Sequence, residues 1–184
     1  MTSKLLTAEQ VHAIGMAALD NAVDLMADVD ALRKAQRPRR AYCLGVIAVE
    51  EVAKYWECRQ ALEAWTSKLT ARELNARLRP RDKAHVKRYT ATLERLDALG
   101  TVTGRQPEGW ENMEEMARAD MEAREAALYV EIGANGDPLT PDRVSEAEAR
   151  EWVGEVIGIL AMMEIAWRPA LSEALEKARS GHSS

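Results

Sequence analysis

The chain has 184 residues, a formal net charge of −5 and an isoelectric point near 5.4. This length predicts a single domain over residues 1–184, with a core from about residue 5 to residue 179 and a flexible tail over 180–184. The acidic balance argues against an extended nucleic-acid-binding surface that works by bulk charge, although it is compatible with a local basic groove.

The same composition predicts a cytoplasmic protein that does not associate with a membrane. No apolar run is long enough to span a bilayer, and the amino terminus lacks the apolar region of a signal peptide. Cys43 and Cys58 fall on one predicted helix, roughly 20 Å apart at the helical rise per residue, which is too far for a disulfide. We therefore expect two reduced core thiols.

Alanine, leucine, glutamate and arginine dominate, which predicts an all-α fold, a compact bundle of about six helices. A capping box over Thr7–Gln10 opens the first helix, which should end near Ala35 because Pro38 follows. A second capping box over Thr70–Glu73 opens a short third helix. Further helices are expected over 80–100 and 110–132 and from Thr140-Pro141 onward, the last broken at Pro169.

The second predicted helix, Arg39–Trp65, is apolar on two sides, which is typical of a helix surrounded by other helices. A narrow polar strip containing Glu50, Glu51 and Lys54 runs between the two apolar sides. Glu50 and Lys54 have the spacing and order of a favourable ion pair. The strip is therefore either a self-satisfied pair on a half-buried helix or part of a functional site.

Several kinds of site are missing from the sequence. There is no Glu-x-x-His pair of a di-metal bundle, no cysteine and histidine cluster with zinc spacing, and no glycine-rich phosphate loop. We therefore expect neither a metal nor a cofactor.

His85 lies in a basic stretch, between Arg79 and Arg81 on one side and Arg88 and Tyr89 on the other. Neighbouring cations favour the neutral imidazole, which can accept a proton, and arginines can hold a phosphate. A base and a cation are the groups needed for metal-independent RNA cleavage. The alternative is a solvated basic stretch with one incidental histidine.

Three elements, in the same order and over about residues 5–160, resemble the AbiV family of abortive-infection proteins. The first is an alanine- and leucine-rich run that leads into Glu-Glu-x-x-Lys, matched by Glu50, Glu51 and Lys54. The second is a His-x-Lys element, matched by His85 and Lys87. The third element is matched by Arg124, Leu128, Tyr129, Val130, Glu131, Gly136 and Pro138.

This resemblance implies membership of the HEPN superfamily, whose compact helical domains commonly dimerise. Many of them are metal-independent ribonucleases with an arginine a few residues before a histidine, which Arg79 and His85 match. The chain departs from that pattern because Pro80 follows the arginine and because the pair lies in mid-chain. Other HEPN domains are non-catalytic interaction modules.

The resulting hypothesis is an antiphage abortive-infection effector that cuts or sequesters RNA of the translation machinery. His85 would act as base or acid, with Arg79 or Arg81 on the phosphate. Glu50 and Glu51 would orient these cations, and Lys54 would either pair with the glutamates or face the phosphate. The candidate substrate-binding residues are Lys87, Arg88, Tyr89, Arg124 and Tyr129.

The expected partners are a second copy of the chain in a homodimer, RNA, and a phage protein as activator. The alternative function is a non-enzymatic helical interaction module that binds a phage protein or a translation component. In a third, structural interpretation, Glu50 and Lys54 only fix the register of their helix.

Overall fold

The computed structural model describes residues 4–78, 83–98, 113–128, 131–132, 138–139, 145–158 and 166–180. The helices within these ranges are α1 (Ala8–Lys34), α2 (Pro38–Glu63), α3 (Ala71–Leu78), α4 (Lys83–Ala98), α5 (Met113–Leu128), α6 (Glu146–Ile157) and α7 (Arg168–Ser180). Two strands of two residues each, β1 (Glu131–Ile132) and β2 (Pro138–Leu139), pair antiparallel. The all-α prediction is confirmed.

The predicted capping boxes begin α1 and α3. The hydroxyl of Thr7 accepts a hydrogen bond from the Gln10 amide, and the Gln10 side chain accepts one from the Thr7 amide. Thr70 and Glu73 make the same reciprocal pair in front of α3. Each box satisfies amides that a helix start otherwise leaves without a partner.

A third capping box starts α6, at a place that the sequence analysis missed. Ser145 and Glu148 exchange side-chain and backbone hydrogen bonds, and the helix begins at Glu146. The predicted start at Thr140-Pro141 lies outside the described residues. The sequence contains the Ser-x-x-Glu pattern of a capping box at Ser145 and Glu148, but the helix start was predicted from Pro141 instead.

The connection between α1 and α2 is a tight reversal. Gln36 has a left-handed φ of 58°, and the amide of Arg37 donates to the carbonyl of Leu32 while that of Gln36 donates to Arg33. These are the two hydrogen bonds of a Schellman ending. Pro38 is then the first residue of α2, where its missing amide costs nothing. The predicted end of the first helix near Ala35 is confirmed.

Helix α2 is the centre of the bundle, since it packs against each of the six other helices that the structure describes. It is antiparallel to α1, and a side chain at Gly15 would lie 2.9 Å from Cβ of Cys58 and from Cδ2 of Leu171 on α7. On the other side, Cζ3 of Trp152 on α6 would lie 2.2 Å from a Cβ at Gly45. Both glycines therefore allow a neighbouring helix to approach closely.

The structure differs from the predicted elements at two helix ends. The fifth helix was predicted to reach Ile132, but α5 ends at Leu128 and Ile132 pairs with Pro138 in the short hairpin. The expected break at Pro169 is not found at the proline, because α6 already ends at Ile157 and a π-helical turn over residues 166–167 leads into α7, which carries Pro169 in its first turn. The seven described helices agree with the predicted bundle of about six helices and a further helical segment beyond Pro169.

The two cysteines are buried thiols that form no disulfide, as predicted. Burial, with a smaller contribution from the charge of Glu57, raises the pKa of Cys58 to about 12. A thiol of this kind stays protonated and packs as a small apolar side chain.

Within the described ranges, no helix combines the length and the apolar character that a bilayer-spanning segment requires.

Candidate functional site between helices α2 and α4

The polar strip of α2 is half-buried, and its ion pair differs from the predicted one. Lys54 pairs with Glu51, one turn before it, rather than with Glu50. The side chains of Glu51 and Lys54 are 13% and 32% exposed, so the pair is partly shielded from water. One carboxylate oxygen of Glu50 is also buried. The predicted Glu50–Lys54 pair is therefore wrong, although Lys54 is held by the strip as expected.

The predicted catalytic histidine belongs to α4. Its backbone lies in the first turn of that helix, which begins at Lys83. The side chains of His85, Lys87, Arg88 and Arg124 lie outside the described part of the structure, as do Arg79, Arg81 and Tyr129 entirely. The approach of His85 to the α2 strip stays a prediction.

A buried polar network joins α2, α4 and α5. The hydroxyl of Tyr42 on α2 donates to Oδ1 of Asp120 on α5 at 2.6 Å, and the hydroxyl of Tyr89 on α4 donates to Oδ2 at 3.1 Å. Asp120 is 4% exposed and Tyr89 is 1% exposed. Tyr89, a predicted substrate-binding residue, thus lies in the core with its hydroxyl bonded to Asp120, one helical turn after His85.

Asp120 was missed by the sequence analysis, although a signal for it was present. It follows Ala117 at helical spacing, so it occupies a position of α5 where the period calls for an apolar side chain. An acid at a core position is normally hydrogen-bonded, and two tyrosine hydroxyls supply the partners here. These hydrogen bonds fix the register of α4 and α5 against α2.

A second contact between α2 and α4 is formed around the half-buried Trp56. The guanidinium carbons of Arg59 on α2 and Arg95 on α4 lie 5.1 and 5.4 Å from the centre of its ring system. Trp56 also packs edge-on against Tyr55 and Trp167, at centroid distances of 5.2 and 5.5 Å. The indole is therefore held from the inside by aromatic rings and contacted by two cations.

The groups behind Trp56 are themselves fixed. The hydroxyl of Tyr55 donates to the backbone carbonyl of Trp167 at 2.9 Å, and burial raises the pKa of that hydroxyl. Arg59 donates to Glu63 at 2.8 Å. Partial burial works to lower the pKa of Arg59, but the hydrogen bond and charge of Glu63 outweigh it and raise the value.

Among the residues whose side chains the structure describes, no group of three or more histidine, cysteine or acidic side chains is arranged to hold a metal ion.

The bundle around α2 and the comparisons together define the class of the protein. A family model described as HEPN_AbiV (AbiV) matches residues 10–156, which extend from α1 to the end of α6. Neither a curated protein nor a solved structure matches the chain significantly. The class is a HEPN-type helical domain. Since the match covers most of the sequence, the chain belongs to the AbiV family of abortive-infection proteins.

Proposed function

We propose that this protein is an antiphage effector that stops translation in infected cells by cutting RNA without a metal ion. The observation that carries the proposal is membership of the AbiV family. The candidate histidine, His85, belongs to the first turn of α4. The position of α4 is fixed by hydrogen bonds, because Tyr89 on α4 and Tyr42 on the central helix α2 both donate to Asp120.

The proposed reaction is a transesterification. The imidazole of His85 removes the proton of a ribose 2′-hydroxyl, the 2′-oxygen attacks the adjacent phosphorus, and the bond to the 5′-oxygen breaks. The leaving 5′-oxygen takes the proton that the His85 imidazolium now carries, and the products are a 2′,3′-cyclic phosphate and a 5′-hydroxyl. Arg79 or Arg81 stabilises the charge that develops on the phosphate oxygens.

The α2 strip has a supporting role in this proposal. Lys54 is paired with Glu51, which is the first of the two roles considered for it, and the glutamates would also orient Arg79 or Arg81. Glu50 is placed one residue away, with one carboxylate oxygen inside the fold. The remaining substrate contacts are assigned to Lys87, Arg88, Arg124 and Tyr129, and Tyr89 would act by positioning α4.

A homodimer and a phage-derived activator are part of the proposal. Two copies would bring two sets of these cations together, which increases the local positive potential despite the acidic total charge. Dependence on an activator would keep activity low in uninfected cells at the natural abundance of the protein, whereas overproduction from an inducible promoter would raise the basal activity enough to stop growth. We place the protein in the cytoplasm, where its RNA substrate is found.

A second candidate function is a non-enzymatic module that binds a phage protein or a translation component. The Lys54–Glu51 ion pair favours it, because a closed pair on the strip leaves less charge for a substrate. In this alternative, the imidazole of His85 has no chemical role.

Growth arrest distinguishes the two candidates. Wild-type protein, His85→Ala and the control His12→Ala are expressed from an inducible promoter in bacteria, and colony counts and soluble protein are measured. His12 is a suitable control because it lies half-buried on α1, with Nε2 3.4 Å from the hydroxyl of Ser172. We expect arrest with the wild type and with His12→Ala, and growth with His85→Ala. Equal behaviour of two soluble, folded variants would favour the binding module.

A further inference from the structure

The cluster of Trp56, Arg59 and Arg95 has more positive charge than its neighbours neutralise. Arg59 is paired with Glu63, whereas Arg95 makes no ion pair with any carboxylate in the described part of the chain. Glu173 on α7 is close enough to Arg59 for their charges to interact, but it is already paired with Lys177. Within the described residues, the charge of Arg95 is therefore not neutralised, and its guanidinium group contacts the Trp56 ring.

Two guanidinium groups lie near one ring, and only Arg59 has a carboxylate, that of Glu63, beside it among the described residues. Their distances from the centre of the Trp56 ring system, 5.1 and 5.4 Å, place their central carbons no more than about 10.5 Å apart, the sum of the two. Both side chains are only partly buried, so each can present its remaining N–H groups to a ligand at the surface. A phosphate accepts paired N–H donors of this kind.

The aromatic ring is kept in place by the core rather than by a hydrogen bond. Its Nε1 atom is buried and has no hydrogen-bond partner among the described groups, while the ring packs on Tyr55 and Trp167. A ligand therefore meets a fixed indole flanked by cations. An aromatic side chain combined with arginines is the usual composition of a surface that binds single-stranded nucleic acid.

We propose that Trp56, Arg59 and Arg95 form a phosphate-binding subsite that holds the backbone of single-stranded RNA where the surfaces of α2 and α4 meet. This inference rests on the proposed function, because the ligand of the subsite is the RNA that His85 is proposed to cleave, bound at a distance from the cleaved bond. Arg95 lies nearly three turns beyond His85 on α4, or roughly 15 Å along the helix axis. The subsite thus contacts RNA a few nucleotides from the cleaved bond.

Binding can be measured separately from cleavage by placing every variant in a His85→Ala background. The probe is a fluorescein-labelled oligouridylate, and fluorescence anisotropy gives the dissociation constant at several salt concentrations. Arg95→Gln should weaken binding about tenfold and reduce the slope of log affinity against log salt by about 0.7, the value for one phosphate contact on a single strand. Arg95→Lys, which keeps the charge without the planar fork, should give an intermediate affinity.

The matched control is Arg118→Gln. Arg118 is an exposed arginine on α5, paired with Glu114, and its removal changes the net charge by the same amount. We expect its affinity and salt slope to equal those of the parent. Thermal midpoints of all variants are compared to show that each is folded.

Three outcomes would overturn the subsite. They are no measurable binding of the oligouridylate, equal losses for Arg95→Gln and Arg118→Gln, and competition by oligoglutamate as strong as that by unlabelled RNA. The last result would indicate an acidic protein segment as the ligand. A failure of the proposed function is distinguishable, because it appears as growth arrest that persists in His85→Ala.

Discussion

The two contacts between α2 and α4 differ in what they do with polar groups. Near the start of α2, Tyr42 and Tyr89 enclose the carboxyl group of Asp120 inside the core, with both of its oxygens accepting hydrogen bonds. Near the end of α2, Trp56 meets two arginines at the partly open surface. In the first contact, a buried carboxyl group is held by two hydrogen bonds. In the second, two long and partly exposed arginine side chains have one carboxylate partner between them, Glu63, among the described residues.

This difference separates the fold from its binding capacity. A buried hydrogen-bonded carboxyl is costly to disturb, because its partners lose an acceptor that water cannot replace. A cation at the surface that contacts an aromatic ring contributes little to stability, and a ligand can replace the water around its charged group. We therefore expect mutations at the Asp120 end to affect unfolding and mutations at the Trp56 end to affect RNA affinity.

The largest stability effect is expected for Asp120→Ala. Removing the carboxyl group takes the acceptor from two buried hydroxyls, and we expect the free energy of unfolding to fall by about 3 kcal/mol. Asp120→Asn keeps one acceptor oxygen and should lose less. Urea denaturation measures both, with Glu114→Ala on the same helix as a control that should stay within about 0.5 kcal/mol of wild type. One ordinary hydrogen bond contributes about 1 kcal/mol to stability. If Asp120→Ala lowered the free energy of unfolding by less than about 1 kcal/mol, the network would not be important for stability.

The close approach of α6 to the same end of α2 gives the next effect. A Cβ at Gly45 would lie 2.2 Å from Cζ3 of Trp152, so Gly45→Ala should destabilise the fold by about 2 kcal/mol or more. Gly154→Ala is the matched control on α6, since nothing lies within 4 Å of its Cβ position. It should stabilise by about 0.5–1 kcal/mol through helix propensity. Equal thermal midpoints for the two variants would contradict the described packing.

At the other end of α2, Arg95→Gln should cost less than about 1 kcal/mol of stability, the usual size of a cation–π contact at a partly exposed site. The same denaturation experiment checks this, and Arg95→Lys should lie between Arg95→Gln and wild type. A loss as large as that of Asp120→Ala would mean that Arg95 is part of the structural core and would remove the distinction between the two contacts.

The smallest effect concerns the thiol on the α1 side of α2. Because burial raises the pKa of Cys58 to about 12 from 9.0, the unfolded chain loses this proton first as the pH rises. The associated stability is complete below about pH 9 and is lost between pH 9 and pH 12. Folded protein at pH 9 should therefore react slowly with iodoacetamide at Cys58, as measured by mass spectrometry. Reaction as fast as in guanidinium chloride would contradict this burial.

The sequence predicted the helical class, the central position of α2 and the capping boxes of α1 and α3, because these depend on local patterns. Period and capping chemistry act over a few residues and are visible in one chain. The family of the protein was likewise indicated by the order of three short elements, of which Glu50, Glu51 and Lys54 form the first.

Other features could not be predicted because they depend on which side chains meet in space. The choice of Glu51 over Glu50 as the partner of Lys54 is a matter of rotamers and neighbours, since both spacings are compatible with a helix. The two arginines on Trp56 come from different helices, so no local pattern contained them. Ile132 was predicted to belong to the fifth helix because it is apolar and at helical spacing, but it pairs with Pro138 in a short hairpin.

The chemical ends of RNA in phage-infected cells test the central claim most directly. RNA from cells that express wild-type protein or His85→Ala is sequenced by a method that captures 2′,3′-cyclic phosphate ends. We expect new cyclic-phosphate ends in translation-machinery RNA with the wild type, reduced at least about 100-fold in His85→Ala, the scale expected for loss of a general base. Identical end maps for the two proteins would contradict this claim.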